Sequence, residues 1–334
     1  MSIISELTAR AASIGGKVVL PESGDPRMLK AAVQIVREGI AEVVLLGDKT
    51  QILKDAKELG LDLSIESKIS FVNPQDSPDS PRFAEYFYNR RKEKGVTAPE
   101  AMDTIQKPLY FGASMVKHGL VNGMVAGSIN TTADVLRAAL QVVGVKPGLK
   151  TVSSTFIMVV PDFMGADKVF LFADCAVVPN PTDAQLADIA ISTAETRRAL
   201  LGDDPKVALL SFSTKGSASD DLVEKVVAAK KIMEERKVDF DFDGELQLDA
   251  AIIPEVAKSK APGSKIAGQA NVLIFPDLQA GNIGYKLVQR MAKAEAIGPI
   301  IQGLAFPVCD LSRGCSVQDI VSTAVLVLLM SAQK

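Results

Sequence analysis

Short apolar runs alternate with segments of helical length along most of the chain, and the two periods trade places at regular intervals. In the first half, Lys17–Pro21, Glu42–Gly47, Ile69–Val72 and Gly123–Gly127 read as strands. Between them, Asp25 and Pro26 supply a cap and a first-turn proline for a helix to about Glu38. Further helices are expected from about Asp48 to Leu59, over Ala84–Lys94 and Pro99–His118, and in the segment carrying Arg137. A rise in Gly and Pro between Gly144 and Lys150 marks a crossing between domains.

Beyond it the same alternation resumes. Strands are expected at Thr155–Val160, Val169–Ala173, Lys206–Phe212 and Asn271–Phe275, and helices at Asp183–Leu200, up to Glu235 and over Ile283–Ala296. A last apolar run, Gly298–Ala305, reads as the strand that feeds a polar loop and a strongly apolar helix from Val317 to about Met330. No internal repeat, low-complexity tract or long linker interrupts the pattern. The implied architecture is α/β, with two doubly wound domains and a cleft between them: residues 1–148 with 299–334, and residues 149–298.

Composition narrows the possibilities. Of 334 residues, 47% are apolar and 23% charged, as in globular proteins with a sizeable core, and a net charge of −3 gives no reason to expect nucleic-acid or membrane partners. The stretch Ile320–Met330 is well short of the roughly 20 residues that cross a bilayer. Cys175, Cys309 and Cys315, without a secretory leader, suggest a reduced cytoplasmic protein. With His118 as the one histidine, a three-His zinc site is impossible and any Ser-His or Cys-His pair must use it.

The densest candidate chemistry lies in Cys309–Asp319. Ser316 and Asp319 have the spacing of a capping box, which starts the last helix and aims its unpaired N–H groups at the loop, where an anion is favoured. Ser312 offers a hydroxyl, Arg313 a guanidinium, Cys315 a thiol and Asp319 a carboxylate. Two further strand-to-helix loops are rich in hydroxyls: Ser128–Asp134, with Thr131 and Thr132, and Ser213–Ser219, with Ser213 and Thr214. The second is no Walker A loop, since it lacks the G-x-x-x-x-G-K-[ST] pattern. Near the expected start of the Ile283 helix stands Lys286.

Plainer readings stand beside these. Asp319 is a capping residue first, Cys315 a buried inert thiol, His118 a helix-terminal residue, and Arg91 part of a charge run on a solvated helix face. Asp243, Glu245 and Asp249 read as structural acids or as partners in hydrogen bonds between domains, in preference to a cation site.

Four stretches, Leu209–Ala218, Asp243–Ala251, Phe275–Lys286 and Asp310–Ser316, together closely resemble the phosphate acetyltransferase (phosphotransacetylase) family, in its short form without an added N-terminal regulatory region. The resemblance implies acetyl transfer between acetyl-CoA and inorganic phosphate, giving coenzyme A and acetyl phosphate, in a ternary complex on a homodimer. Coenzyme A is then a substrate, and no metal or prosthetic group is expected. It also implies that Ser312, Arg313 and Asp319 are catalytic and that Arg91 and Arg137 bind coenzyme A and substrate; Thr131, Thr132, Ser213, Thr214 and Lys286 are further contacts. The chemistry agrees: a thiolate attacks, Ser312 donates to the developing oxyanion, Arg313 holds the phosphate and Asp319 accepts the thiol proton. An ordinary aspartate near ~3.9 lies ~4.6 units below a free thiol near ~8.5, about 6 kcal/mol, so proton transfer has to be concerted with attack or helped by arginines that lower the thiol. A phosphotransbutyrylase-like enzyme is the nearest alternative. A decarboxylating dehydrogenase of related scaffold is a more distant one, against which stands the absence of a convincing G-x-G-x-x-G fingerprint.

Overall fold

The computed structural model describes residues 3–63 and 67–332. It divides into two compact units, Met1–Lys146 with Leu304–Lys334, and Pro147–Gly303. The first opens with α1 (Ile3–Ile14), β1 (Gly16–Leu20), α2 (Pro26–Arg37), β2 (Ala41–Leu46), α3 (Lys49–Glu58) and β3 (Ile69–Val72). There follow α4 (Ser80–Arg91), α5 (Ala98–Ile105), α6 (Pro108–Lys117), β4 (Gly123–Ala126) and α7 (Thr132–Val142). The second unit holds β5 (Ser153–Phe163), β6 (Ala166–Ala173), α8 (Asp183–Leu201), β7 (Lys206–Leu210), α9 (Asp221–Glu235) and β8 (Asp241–Leu246). It ends with α10 (Leu248–Ile252), α11 (Pro254–Lys260), β9 (Val272–Ile274), α12 (Leu278–Met291) and β10 (Glu295–Gln302). The chain then returns to the first unit as β11 (Val308–Asp310) and α13 (Val317–Ser331).

The first sheet has the order β11-β4-β1-β2-β3 and is parallel throughout, as expected of strands joined by helical crossovers. Capping decides where its helices begin. Asp25 accepts the Arg27 N–H at 2.8 Å with Pro26 in the first turn, and α2 buries Met28, Leu29, Ala32, Val33 and Ile35 along one face. The apolar helix expected at the end of the chain is α13, which packs on α1, α2 and β4 and buries nearly its whole length. It lies so close to β4 that a Cβ on Gly123 would stand 2.2 Å from Val327, so only glycine fits there.

Four elements depart from the sequence pattern. The opening helix α1 had no strong signal, because it buries only the narrow stripe Leu7 and Ala11. The helix expected over Pro99–His118 is two helices, since Pro108 has no N–H to continue α5 and instead starts α6. The helix expected to begin at Ile283 begins at Leu278, capped by Asp277, whose side chain accepts the Ala280 N–H at 2.9 Å. Finally, the run from Gly298 is part of β10, which pairs antiparallel with β5 in the second sheet; the strand feeding the Ser312 loop is the shorter β11.

The second sheet, in the order β10-β5-β6-β9-β7-β8, is parallel across β6, β9, β7 and β8, with the antiparallel β5 and β10 at one edge. Its core gathers Phe156, Met158, Phe170, Phe172, Leu210, Leu246 and Leu273. Among the described residues no helix is long and apolar enough to cross a membrane, and no group of three or more His, Cys, Asp or Glu side chains is placed to hold a metal ion.

Candidate active site

Three neighbouring strands of the first sheet, β1, β4 and β11, end together, and the loops leaving their carboxyl ends are bonded to one another. The buried Glu22, in the loop after β1, accepts the N–H groups of Gly127 (2.7 Å) and Ser128 (2.8 Å) and the Ser128 hydroxyl (3.0 Å) on Oε2. On Oε1 it accepts the N–H groups of Ile129 (3.2 Å) and Asn130 (2.8 Å) and the Asn130 amide (2.8 Å). One carboxylate thus holds the whole loop from β4 to α7, where backbone donors have no strand or helix to satisfy them.

Arg27 adds the third loop. Its guanidinium pairs with Asp25 at 2.6 Å, donates to the Ser128 carbonyl at 3.0 Å, and donates to the carbonyls of Arg313 and Cys315, both at 2.8 Å. The pairing and Ser128 hold the Asp25 carboxyl below its ordinary value against the opposing pull of burial, so the cation keeps its counter-ion.

Ser312 and Arg313 on the β11–α13 loop and Asp319 in the first turn of α13 are all exposed. The Ser312 Oγ accepts the Gly314 N–H at 3.2 Å, which leaves its own proton free to donate outward. The capping box is formed: Asp319 Oδ2 accepts the Ser316 N–H at 2.8 Å and Ser316 Oγ accepts the Asp319 N–H at 3.1 Å. Burial pushes the Cys315 thiol up despite the nearby Arg27. That is the environment of an inert cysteine.

At the start of α7, Thr131 is the cap, and Asp134 accepts its hydroxyl at 2.7 Å while pairing with Arg137 at 2.6 Å. Those bonds hold the Asp134 carboxyl below its ordinary value, the Thr131 hydroxyl first and Arg137 second. Arg137 borders two cavities. The larger, about 780 Å³, is lined by Glu22, Ser23, Lys107, Tyr110, Ile129 and Asn130 among others. The smaller, about 400 Å³, has Arg91, Lys94 and Arg137 around apolar Ala133, Leu136 and Leu140. Arg91 is half-buried within an exposed charge run, and its Nε is buried with no hydrogen-bond partner. Tyr110 lines the larger cavity and bonds Gln141, which lines the smaller, at 3.3 Å.

The remaining candidates lie in the second unit. Ser213 is fully buried and donates to Glu245 at 2.9 Å, and Thr214 accepts the Gln247 N–H at 2.9 Å. Both hydroxyls are engaged in holding their own turn, together with Glu245, which also accepts the Gly216 N–H at 2.7 Å. Asp243 is engaged by Lys215 and by Lys230, the latter at 3.3 Å. Lys286 is exposed over the Tyr285 ring, and because α12 begins at Leu278 it stands more than two turns in, away from the helix start. His118 caps α6 and stacks on Phe83 at 4.9 Å, and burial lowers its pKa.

Sequence reasoning used Asp25 only as a cap and passed over Glu22, Arg27 and Asp310. The polar density of Glu22–Arg27 immediately after a strand was a signal; the partners of those residues, a hundred and more positions away, were not visible.

Comparison with known proteins identifies the family. The profile of the family described as "Phosphate acetyl/butaryl transferase" matches residues 2–328. The chain is 55% identical to a phosphate acetyltransferase of Thermoanaerobacterium thermosaccharolyticum, covering 96% of this chain and 97% of the relative. It is 50% identical to that of Clostridium acetobutylicum, covering 100% and 99%. A solved phosphotransacetylase from Streptococcus pyogenes superposes with a TM-score of 0.93 at 41% identity, over 100% of both chains. Matched along almost its full length by profile, by sequence and by fold, the chain belongs to the phosphate acetyl/butaryl transferase family.

Proposed function

We propose that the chain catalyses reversible acetyl transfer between coenzyme A and inorganic phosphate, at the carboxyl ends of β1, β4 and β11. The observation that carries the reading is the Ser312–Arg313 loop: a free hydroxyl proton and an exposed guanidinium, held on a backbone that Arg27 ties in place. Arg313 binds the phosphoryl group of acetyl phosphate, beside the amino end of α7, where Thr131 and Thr132 stand and an anion is favoured. Ser312 donates to the carbonyl oxygen as it becomes an oxyanion. The coenzyme A thiol attacks the acetyl carbon, its proton passing to Asp319 as the bond forms and the carbon–oxygen bond to phosphate breaking with departure of inorganic phosphate.

Arg91, Lys94 and Arg137, clustered around an apolar-floored cavity, suit the phosphates of coenzyme A and the neighbouring apolar surface. The three cysteines are buried and none forms a disulfide, in keeping with a cytoplasmic setting. A homodimer is supported by α12, which exposes Ile283, Leu287 and Met291 in one line along the helix, Met291 at 80%.

The test is the initial rate of thioester formation from coenzyme A with acetyl, propionyl and butyryl phosphate, with chelator present, for the wild type and Arg313→Ala. Turnover that falls with chain length and drops at least a hundredfold in Arg313→Ala is expected. A butyryl preference would move the chain to the other branch of its family, and an unaffected Arg313→Ala would refute the site.

A further inference from the structure

Asp310, the last residue of β11, stands two positions before Ser312 and has no role in the chemistry just described. It is 3% exposed. Its Oδ2 lies 2.6 Å from the Thr132 hydroxyl at the start of α7, and its Oδ1 is buried with no hydrogen-bond partner. The slot is tight: a Cβ on Gly127 would stand 2.3 Å from Oδ1, and Gly127 adopts φ +107°, so this approach requires glycine. A carboxylate with one oxygen unsatisfied in such a slot is expensive, and a neutral carboxylic acid costs much less. Burial, opposed by the Thr132 bond and the Leu311 N–H and reinforced by the charge of Glu22, pushes its pKa up to about 6. The other titratable groups on elements packed against β11 are engaged elsewhere: Asp134 and Arg137 of α7 pair with each other, and Asp319 of α13 accepts the Ser316 N–H.

The Thr132 hydroxyl has one proton, and Thr132 itself is exposed. Against an ionised Asp310 that proton must point inward, because a carboxylate only accepts; against a protonated one, Asp310 is the donor and the Thr132 proton is released to point outward. We propose that Asp310 is a positioning residue that takes up a proton from solvent on Oδ2 when the phosphoryl group of acetyl phosphate docks at the amino end of α7, turning the Thr132 hydroxyl from an inward donor into a donor to that group. No bond other than O–H is made or broken, and the incoming negative charge itself favours the protonation. The inference rests on the site assigned above.

The experiment compares kcat/KM for acetyl phosphate at saturating coenzyme A, at pH 6 and pH 8, in the wild type, Asp310→Asn, Thr132→Val, Thr132→Ser and Arg313→Ala. Ratios to wild type at each pH cancel the titration of the coenzyme A thiol. The side-chain amide of Asp310→Asn donates to Thr132 at every pH, so the ratio of this variant to wild type should rise at least fivefold from pH 6 to pH 8. Thr132→Val should cost about tenfold at pH 6 and much less at pH 8, while Thr132→Ser, which keeps the hydroxyl, should follow the wild type within about twofold. A role confined to packing lowers all ratios alike at both pH values, and that result overturns the proposal. Should Asp310→Asn fail to fold, the two Thr132 variants decide the question alone. A loss in Arg313→Ala with flat Asp310 and Thr132 ratios would sink the proton switch and leave the site standing; no loss in Arg313→Ala would remove the site and the switch together.

Discussion

Replacing Glu22 with glutamine tests whether one carboxylate holds the loop that starts α7. The substitution preserves shape and removes one acceptor oxygen. If the amide nitrogen takes the place of Oε2, it faces the N–H groups of Gly127 and Ser128, now 2.7 and 2.8 Å from another donor; in place of Oε1, it faces those of Ile129 and Asn130. In either orientation two backbone donors lose a charged acceptor. With Glu22 at 5% and Ser128 at 3% exposure, water does not readily replace it. Hydrogen bonds to charged groups contribute about 1.5–3 kcal/mol each, so two lost bonds come to roughly 3–6 kcal/mol, with the lower end expected after the loop relaxes. At about 2–4 °C per kcal/mol, Glu22→Gln should melt at least about 6 °C below wild type. Because the same loop carries Asn130, Thr131 and Thr132, kcat should fall at least tenfold. Thermal and urea unfolding, with thioester-formation rates on the same preparations, measure both effects. A variant within about 1 kcal/mol of wild type and within twofold in kcat would show that the loop holds its shape without the carboxylate.

Asp319→Asn keeps an oxygen for the Ser316 N–H and should hold stability within about 0.5 kcal/mol while kcat falls about a hundredfold or more; Asp319→Ala should lose about 1 kcal/mol as well, and near-full turnover in the asparagine variant would refute the base role. Asp310 gives a pH dependence of stability with a definite sign. Its folded value of about 6 lies above the ordinary 3.8, so its contribution is complete below pH ~4 and is lost as pH rises through about 6. Asp310→Asn should therefore be more stable than wild type at pH 8 by up to about 3 kcal/mol and nearly equal at pH 4, as read from urea unfolding; equal stability at both would contradict the burial cost. Cys315→Ala should keep kcat within about twofold, since a buried thiol held in its neutral form is not a nucleophile, and a loss as large as that of Arg313→Ala would revive covalent catalysis.

What could be read from the sequence was what is local. Asp25 with Pro26, and Ser316 with Asp319, mark helix starts because caps act within three or four residues, and both were found where expected. The α/β alternation was equally plain. Apolar runs do not reveal which sheet they join, and so the run from Gly298 was attached to the loop it precedes, although Ile300, Ile301 and Gln302 pair with Thr155, Ser154 and Ser153. The start of α12 was hidden by Gly281, which reads as a loop residue. In the fold it is helical, and it is glycine because a Cβ there would stand 2.1 Å from the Asp174 carbonyl oxygen. Glu22 and Arg27 were missed for the most general reason: an acid or an arginine after a strand is common, and what distinguishes these two is the set of distant backbone groups they meet.

Arg27 has a consequence for the order in which the protein is made. Its guanidinium binds carbonyls of residues 128, 313 and 315, and β11, which brings the last two into place, is synthesised only after the whole second unit has been made between residues 147 and 303. A nascent chain that has already folded its second unit still has a first sheet ending at β4, with the sides of β4 and Gly123 that receive β11 and α13 left bare. Residues 304 onward therefore close the sheet and complete the Ser312 loop after the second unit has been made. A chain stalled or clipped short of Val308 would carry the apolar surface of β4 without the Ser312 loop.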